Sequence, residues 1–291
     1  MTRGSRSLSR LSIILPAKNE APALASLLPR LRAAHPEAEI IVVDDGSTDD
    51  TRLICAEAGI ACLSSPYSMG NGAAIKRGAR AASGEVLVFM DGDGQHDPAD
   101  VARLLAKLDE GYDMVVGARD WESQAGVGRG VANTLYNWLA TRMTGHQVAD
   151  LTSGFRAVRA DKFREFLYLL PNGFSYPTTS TMAFFRSAYP VAYVPIKAAQ
   201  RVGKSHIRPL RDGVRFLLII FKIATLYSPL KLFAPASGLF FLLGCVNYVW
   251  TYAHEGRLTN GSTLLWSAAV IVFLIGLISE QITSLTYRRD A

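Results

Sequence analysis

Two long apolar segments in the last third of the chain constrain its fold more than any other feature. Leu232 to Ala253 and Thr263 to Thr283 are each long enough, as helices, to cross a hydrocarbon core of about 30 Å. Only the polar stretch HEGRLTNGS, rich in turn-forming residues, separates them. We therefore predict an antiparallel hairpin of two membrane-spanning helices over residues 232–283. A pair of helices buried in a protein core is the alternative.

Basic residues on both sides of this hairpin predict its orientation. The cations that precede or follow it are Arg208, Arg211, Arg215, Lys222, Lys231, Arg288 and Arg289. By the positive-inside rule both ends then lie in the cytoplasm, with residues 284–291 as a cytoplasmic tail. Residues 1–10 are basic but lack the apolar core of a signal peptide, which favours a flexible tail. We expect a multi-pass protein of the inner (cytoplasmic) membrane whose N-terminal domain stays in the cytoplasm.

The segment before the hairpin, residues 210–231, has the pattern of a helix that lies in the membrane surface. At about 100° per residue Arg211, Arg215 and Lys222 fall on one face, opposite a face of phenylalanine and isoleucine. Such a helix places its cations over anionic headgroups. A basic helix can also bind nucleic acid, but no nucleic-acid motif accompanies this one, so no nucleic-acid partner is expected. Glu280, near the end of the second apolar segment, is expected at the membrane interface.

Residues 11–209 alternate apolar runs with helical patterns, and together they predict one soluble domain. The runs LSIILPA, EIIVVDD, EVLVFMD and DMVVGAR are bounded by turn residues, which is typical of strands buried on both faces. The helical patterns between them predict an α/β fold, a mostly parallel sheet with helices on both faces. Ligands of such sheets bind beyond the carboxyl ends of the strands, where this chain carries PAKNE, DDGS, DGDGQ and GAR. The three cysteines form no CxxC pair, which argues against a disulfide scaffold or structural zinc and favours a reducing compartment.

The stretch FMDGDGQHDP, at the end of the third apolar run, predicts a metal site. Asp97 is explained as the N-cap of the following helix, but Asp91 and Asp93 repel each other unless a cation or hydrogen bonds hold them. A calcium loop of the EF-hand type would need glycine and glutamate where the chain has His96 and Ala102. Mg²⁺ and Mn²⁺ commonly take one or two protein carboxylates and complete their shell with water and substrate phosphates. The pair therefore predicts half of a site whose other half is a diphosphate.

The common phosphate-binding loops do not occur in the sequence. Neither GxGxxG after the first strand nor GxxxxGK[ST] is found. The glycine-rich stretch GNGAAIKRGA, from Gly70, precedes a strand, and it is either a tight turn into a helix or a ligand contact. Lys76 within it either reaches a phosphate or is solvated.

The order of the motifs resembles one known family. LPAKNE, IIVVDDGSTDDT, GNGAAIKRGA, FMDGDGQHDP, GAR, LTSGFR and RVGKS occur in the order found in nucleotide-sugar glycosyltransferases of family 2 with the A-type fold. The resemblance is to the dolichyl-phosphate mannose synthase and polyprenyl-phosphate glycosyltransferase branch, and it runs from about Leu11 through the hairpin. It implies a Rossmann-like nucleotide-sugar-binding domain and an inverting transfer of one hexose. The implied donor is of the GDP-mannose or UDP-glucose type, and the implied acceptor is a polyprenyl or dolichyl phosphate.

The resemblance also assigns residues to these ligands. Five residues match the positions that bind the base and ribose in this family: Pro16, Lys18, Glu20, Val43 and Asp45. Lys18 stands where eukaryotic synthases usually have tyrosine. Matching the metal and diphosphate site are Asp91, Gly92, Asp93 and Gln95, with Mg²⁺ or Mn²⁺ as the implied cofactor. Matching positions near the transferred phosphate and in the acceptor pocket are Arg119, Arg129 and Asn133. Matching a mobile loop that closes over the donor are Arg201 and Lys204.

That loop departs from the family pattern at one position. Family members commonly read GKSK, whereas this chain reads GKSH with His206 in the last place, and Lys204 is expected to meet the diphosphate. The expected catalytic residues are Asp93, Arg119, Arg129 and Lys204.

Several of these residues have a second interpretation that the sequence leaves open. Asp45 could form an Asx turn into the following helix, and Glu20 could belong to the first turn of its own helix. Arg119 and Arg129 could be solvated surface charges. In the LTSGFR loop, which Asp150 is expected to organise, the residues whose contact with substrate stays open are Ser153 and Arg156.

The implied reaction needs no general base, because an acceptor phosphate with a second pKa near ~6 is largely ionised at neutral pH. The metal and Arg201 or Lys204 would neutralise the leaving diphosphate, while Arg119 and Arg129 would orient the acceptor oxygen. Two other functions fit less of the sequence. One is a processive polysaccharide synthase of the same fold, whose QxxRW motif is absent, and the other is a non-catalytic membrane scaffold that binds nucleotide sugar. The resemblance also allows a homo-oligomer.

Overall fold

The computed structural model of the protein describes residues 10–119, 127–173, 175–197 and 227–287, with the single residues 218, 221 and 225. For residues 127–133, 286 and 287 it describes the backbone only. The strands are β1 (Leu11–Ala17), β2 (Glu39–Asp44), β3 (Ala61–Ser64), β4 (Val86–Phe89), β5 (Met114–Arg119), β6 (Arg156–Arg159) and β7 (Val191–Ile196). The helices that accompany them are α1 (Ala21–Ala34), α2 (Thr51–Glu57), α3 (Asn71–Ala81), α4 (Ala99–Asp109), α5 (Val127–Thr144), α6 (Ala160–Arg164) and α7 (Tyr176–Arg186).

Within the described residues these strands form one seven-stranded sheet in the order β3-β2-β1-β4-β6-β5-β7. Every strand except β6 runs in the same direction, since β6 pairs antiparallel with both of its neighbours. The predicted α/β fold with a mostly parallel sheet is confirmed, and the four apolar runs form β1, β2, β4 and β5. The strands β3, β6 and β7 were not predicted, because β3 and β6 have only four residues each and the apolar run of β7 contains Pro195, which weakens a strand prediction.

The core lies against both faces of the central strands. Side chains of β1, β2 and β4 are buried almost throughout, as expected for strands covered on two sides. Leu24 of α1 and Leu104 of α4 are fully buried in the same cluster as Ile13 and Val88. Burying one such aliphatic side chain stabilises the fold by about 1.5–3 kcal/mol. The strand ends are therefore held on a rigid support.

The described residues belong to two compact units that divide between Asp212 and Gly213, with Met143–Gly145 grouped with the second. The second unit contains two long helices, α8 (Leu230–Glu255) and α9 (Asn260–Tyr287). Both extend beyond the predicted segments, and the turn between them has Gly256 in the left-handed conformation with φ 67°. Both are long and apolar enough to cross a membrane, and only 6% and 17% of their most apolar stretches are buried. They are not the core helices that the alternative interpretation required.

Glycine allows α8 and α9 to approach closely. A Cβ atom on Gly244 would lie 2.6 Å from the Trp266 ring, and one on Gly276 would lie 2.7 Å from the Phe233 Cβ. Small residues at helix contacts are typical of membrane-spanning pairs. At the start of α8 the Glu280 carboxylate accepts hydrogen bonds from the Ser228 hydroxyl (2.8 Å) and the Leu230 amide (3.2 Å). This contact places Glu280 at the open end of the hairpin.

The surface helix predicted over residues 210–231 lies mostly outside the described residues. Among its described residues, Leu218 and Phe221 are both helical and exposed.

Candidate functional site

A cavity of about 480 Å³ lies beyond the carboxyl ends of β1, β2 and β4. Its lining includes these predicted site residues: Pro16, Lys18, Glu20, Asp45, Asp91, Gly92 and Asp93. Small-molecule sites commonly have volumes of about 300–1,000 Å³. The sheet thus brings together side chains that are far apart in the sequence, and their roles in binding stay predictions.

Four residues of the lining were not predicted: Ala17, Ser68, Asn71 and Ala74. Three of them belong to the turn and helix around Gly70, which also lines the cavity. The sequence signal was the glycine-rich stretch itself, which favoured a turn and a ligand contact equally.

The two predicted metal-binding carboxylates are fixed to the end of β1. Beyond β4 the chain keeps following β1, since the Gly92 amide donates to the Pro16 carbonyl oxygen at 3.2 Å. Glycine eases this close approach, because a Cβ atom would lie 3.1 Å from that oxygen and 3.2 Å from the Ala17 Cβ. Asp93 accepts a hydrogen bond from the Gln95 amide at 3.1 Å, which closes the turn. Asp97 accepts from the Ala99 amide at 3.1 Å and caps α4 as predicted.

The two neighbouring aspartates at the end of β2, Asp44 and Asp45, accept hydrogen bonds from different loops. Asp44, not Asp45, forms the Asx turn, since its carboxylate accepts from the Ser47 amide at 2.7 Å and pairs with Arg52 at 2.7 Å. Asp45 instead accepts from the Ser68 hydroxyl and from the amides of Met69 and Gly70, at 2.7–2.9 Å. The Asx-turn interpretation of Asp45 was therefore wrong. Its carboxylate holds the loop that forms one wall of the cavity.

Other predicted nucleotide contacts differ in their exposure. Val43 is fully buried in β2 and is absent from the cavity lining, so its side chain belongs to the core. Glu20 lies at the N-cap of α1 without a side-chain capping bond, and it lines the cavity beside Lys18. Glu20 thus lies at the start of its own helix and also at the cavity, so both interpretations of it stay open.

The glycine-rich stretch forms a tight turn onto which the PNG segment of residues 171–173 docks. The amides of Gly72 and Ala73 donate to the carbonyl oxygens of Gly173 (3.2 Å) and Asn172 (2.9 Å). Lys76 donates to the Leu170 carbonyl oxygen at 3.1 Å and to the Asn172 side chain. These amides at the start of α3, and Lys76, therefore hold protein groups, which favours the turn interpretation.

We expect alanine at Gly72 to destabilise the first compact unit, because its Cβ atom would overlap with the carbonyl oxygen of Pro171. Overpacking of this kind costs about 1–3 kcal/mol of unfolding free energy. Chemical denaturation of the variant measures the loss. Gly173→Ala is the matched control, because a Cβ atom at Gly173 meets no atom within 4 Å. Equal stability of the Gly72 variant and the wild type would contradict this account of the turn.

Arg119 at the end of β5 is committed to an ion pair. Its Nε and Nη2 atoms donate to the two carboxylate oxygens of Asp150, at 2.8 and 3.1 Å, and Nη2 also donates to the Thr152 hydroxyl at 2.8 Å. Burial would raise the pKa of Asp150, but the hydrogen bonds and charge of Arg119 outweigh burial and hold that pKa below its usual value. Arg119 is not the solvated surface charge of the alternative interpretation.

Asp150 organises the LTSGFR loop as predicted, by accepting from the amides of Thr152 and Ser153 at 3.0 Å. Arg156, at the end of this loop, is fully buried and donates to protein oxygens. The open question about Arg156 is thereby answered, since it cannot reach a ligand in the cavity. His96 is also buried and stacks on Phe155 with ring centroids 4.8 Å apart. Burial lowers the pKa of His96 to about 4, so the ring is neutral at physiological pH.

The donor set in the cavity fits Mg²⁺ or Mn²⁺ better than a metal held by protein alone. Among the described residues no group of three or more His, Cys, Asp or Glu side chains is arranged to hold a metal ion. Asp91 and Asp93 supply two carboxylates at the cavity wall. Metals of this class bind through one or two carboxylates with the remaining positions filled by water and phosphate oxygens. The residues present therefore fit a metal that is completed by a diphosphate.

Some predicted residues lie where the structure gives no side-chain contacts. Arg201, Lys204 and His206 lie outside the described residues. Arg129 and Asn133 belong to α5, for which the backbone is described at these positions. Their predicted roles stay predictions.

A mostly parallel α/β sheet with a cavity at its strand ends belongs to the class of α/β proteins that bind their ligands beyond the carboxyl ends of the strands. The family model "Glycosyl transferase family 2" matches residues 12–167, and the model "GtrB C-terminal hairpin" matches residues 228–285. The chain belongs to glycosyl transferase family 2.

Curated relatives cover different shares of the chain. Glycosyltransferase AglJ of Haloferax volcanii is 28% identical over 289 residues, which span 94% of this chain and 93% of the relative. Polyprenol monophosphomannose synthase of Mycolicibacterium smegmatis is 29% identical and covers 75% and 87%. Undecaprenyl-phosphate 4-deoxy-4-formamido-L-arabinose transferase of Klebsiella pneumoniae is 33% identical over 52% of this chain, and the match spans about half of that relative, 49%.

Among solved structures, glucosyl-3-phosphoglycerate synthase from Mycobacterium tuberculosis, in complex with Mn²⁺, UDP and glucosyl-3-phosphoglycerate, resembles the chain with a TM-score of 0.59. The sequences are 23% identical, and the match covers 74% of this chain and 80% of that one. At this identity the likeness shows a shared fold.

Proposed function

We propose that the protein transfers one hexose from a nucleotide-diphosphate sugar to a polyprenyl monophosphate, with inversion, to give a β-linked polyprenyl-phosphate sugar. The proposal depends on one combination of features in a family-2 chain. Asp91 and Asp93 line a cavity at the strand ends, and two helices long enough to span a membrane follow in the same chain. The names of two relatives, a polyprenol monophosphomannose synthase and an undecaprenyl-phosphate aminoarabinose-type transferase, support a lipid-phosphate acceptor. The solved fold relative in complex with Mn²⁺ and UDP supports a divalent metal and a nucleotide.

In this proposal the acidic pair binds the donor diphosphate through a divalent metal. Asp91 and Asp93, with Gln95 close by, would hold Mg²⁺ or Mn²⁺, which when bound neutralises charge that develops on the leaving diphosphate. Lys18, Glu20 and the loop held by Asp45 would surround the nucleoside. Lys18, Glu20, Asp45, Asp91 and Asp93 line the same cavity, which supports a single donor site, while Gln95 is next to it without being part of the lining.

The acceptor side depends on orientation instead of proton removal. The acceptor phosphate is largely ionised at neutral pH, because its second pKa is near ~6. Asp150 fixes the Arg119 guanidinium, and Arg119 with Arg129 would aim the acceptor oxygen at the anomeric carbon. Arg201 and Lys204 would close over the donor diphosphate. The buried neutral ring of His96 stacks on Phe155 and is not proposed as a base.

The hairpin and the basic segment before it would hold this site at the cytoplasmic face of the inner membrane. Exposed apolar surface on α8 and α9 supports membrane insertion. A lipid acceptor exposes only its phosphate head, so a site beside the headgroups meets its substrate without extracting the lipid.

The experiment incubates the purified full-length protein with Mn²⁺, undecaprenyl or dolichyl phosphate and a panel of nucleotide sugars. We expect one donor class to give a lipid that carries one sugar. A growing glycan would indicate a processive synthase instead. Nucleotide-sugar binding without turnover for any donor and acceptor would indicate a scaffold, and either result would contradict the proposal.

A further inference from the structure

Residues 150–156, which contain the LTSGFR motif, connect Arg119 to the acidic pair. At one end Asp150 binds the Arg119 guanidinium. Further along, Gly154 lies against the Asp91 carboxylate, since a Cβ atom on Gly154 would be 3.0 Å from Oδ2 and 3.4 Å from Oδ1. The backbone of this loop therefore packs closely against the Asp91 carboxylate. A shift of the loop by a few tenths of an ångström would change the space that is available to this carboxylate.

Two buried side chains hold the loop in place, and the Tyr176 hydroxyl lies on the same side of Gly154 as the Asp91 carboxylate, since a Cβ atom on Gly154 would be 3.3 Å from it. The Tyr176 hydroxyl donates to the Gly154 carbonyl oxygen at 2.9 Å, and Arg156 Nη2 donates to the Ser153 carbonyl oxygen. Tyr176 is 2% exposed and Arg156 is fully buried, and neither lines the cavity. Burial, and then the nearby charge of Asp91, raise the pKa of Tyr176, so its hydroxyl stays protonated and can donate.

These two side chains are themselves fixed by α7 and β4. Arg156 Nη1 donates to the Pro177 carbonyl oxygen at 3.1 Å and to the Ser180 hydroxyl at 2.7 Å. The guanidinium also lies 5.6 Å from the centre of the Tyr176 ring. That ring meets Phe89, the last residue of β4, edge-on at 6.3 Å. A planar guanidinium with several donors suits this arrangement, because it reaches carbonyl oxygens on two segments at once.

We propose that Tyr176 and Arg156 are positioning residues that set the orientation of the Asp91 carboxylate through the backbone of Ser153 and Gly154. The inference rests on the proposed function, since it takes Asp91 as a ligand of the divalent metal. Groups behind a metal ligand fix its orientation, and their loss commonly weakens metal binding by about 10–100-fold. The LTSGFR motif then couples the metal site to Arg119, because both are held by one loop.

The test measures binding of Mn²⁺ alone to the full-length protein by the electron paramagnetic resonance signal of free Mn²⁺. We expect Tyr176→Phe, which removes only the hydroxyl, to weaken binding by about tenfold. Tyr189→Phe is the matched control, because its hydroxyl donates to Glu165 at 2.9 Å and thus also makes one hydrogen bond near α7. We expect the control to keep the wild-type Mn²⁺ affinity, and thermal denaturation of both variants shows whether each is folded.

A second variant keeps the test decisive if Tyr176→Phe fails to fold. Gly154→Ala crowds the Asp91 carboxylate directly and is expected to weaken Mn²⁺ binding, whereas Gly173→Ala adds its methyl group in open space. Wild-type Mn²⁺ affinity in a folded Tyr176→Phe or Gly154→Ala variant would overturn the inference. If the wild type binds Mn²⁺ only together with UDP or GDP, the variants are compared under that condition. No Mn²⁺ binding by the wild type, with or without a nucleoside diphosphate, would overturn the metal assignment itself, and the inference with it.

Discussion

Asp93→Asn is expected to lower the rate of sugar transfer by about 100-fold or more while the protein still folds. The reason is that asparagine removes one of two anionic ligands from the proposed metal, and with it charge stabilisation that acts on the leaving diphosphate. Folding is expected to persist because asparagine has the same shape and its oxygen can still accept from the Gln95 amide. Transfer to polyprenyl phosphate, measured beside the melting temperature, separates the two effects.

Asp97→Asn is the control for this prediction. Asp97 lies on the same loop, but its side chain is 57% exposed and caps α4, a role that asparagine fills equally well. We expect wild-type transfer from this variant. Chelation of divalent metal should reproduce the loss seen in Asp93→Asn, and added Mn²⁺ should restore the wild type. Near-normal turnover by Asp93→Asn would refute the assigned role of the acidic pair.

Asp150→Ala is expected to cause the largest loss of stability among single substitutions at the site. The carboxylate is 1% exposed, pairs with Arg119 through two bonds and accepts from two loop amides. Removal of one partner of a buried ion pair costs about 3–5 kcal/mol, and the partial exposure of Arg119 places the expectation near the lower value. Chemical denaturation measures the loss. Asp109→Asn is the control, since Asp109 is 76% exposed and pairs with Arg159 at 3.6 Å, where little change is expected.

The same ion pair predicts a pH dependence with a definite sign. The pKa of Asp150 is lower in the folded protein than in the unfolded chain, so its contribution to stability is complete above the unfolded pKa of about 3.9. That contribution is lost as the pH falls through the lower, folded pKa. The difference in unfolding free energy between the wild type and Asp150→Asn should therefore be constant above about pH 5 and shrink below about pH 4. A difference that does not change down to pH 3 would contradict the role of the ionised carboxylate.

Local patterns in the sequence were enough to predict those strands, helices and caps whose formation depends on residues close together in the chain. Continuous apolar runs predicted β1, β2, β4 and β5, because a strand covered on both faces needs apolar side chains at every position. The spacing of Asp97 and the following helix predicted its cap. Length and hydropathy predicted α8 and α9 as a hairpin, since a bilayer imposes its thickness directly on the chain.

Tertiary structure alone decided how the polar groups pair. Nothing local distinguishes Asp44 from Asp45, and their tasks separate only because the loop with Ser68 folds back over the second carboxylate. Arg119 pairs with Asp150, 31 residues further along the chain, whereas the family resemblance pointed only to a nearby phosphate for Arg119.

Arg156 shows the same limit, because the sequence left its contact with substrate open while the fold buries it among oxygens of α7. Buried strands and membrane-spanning helices can be predicted from the composition of a single segment. The partner of a charged side chain cannot, because a hydrogen bond requires a distance of about 3 Å and only the folded chain decides which segments come that close.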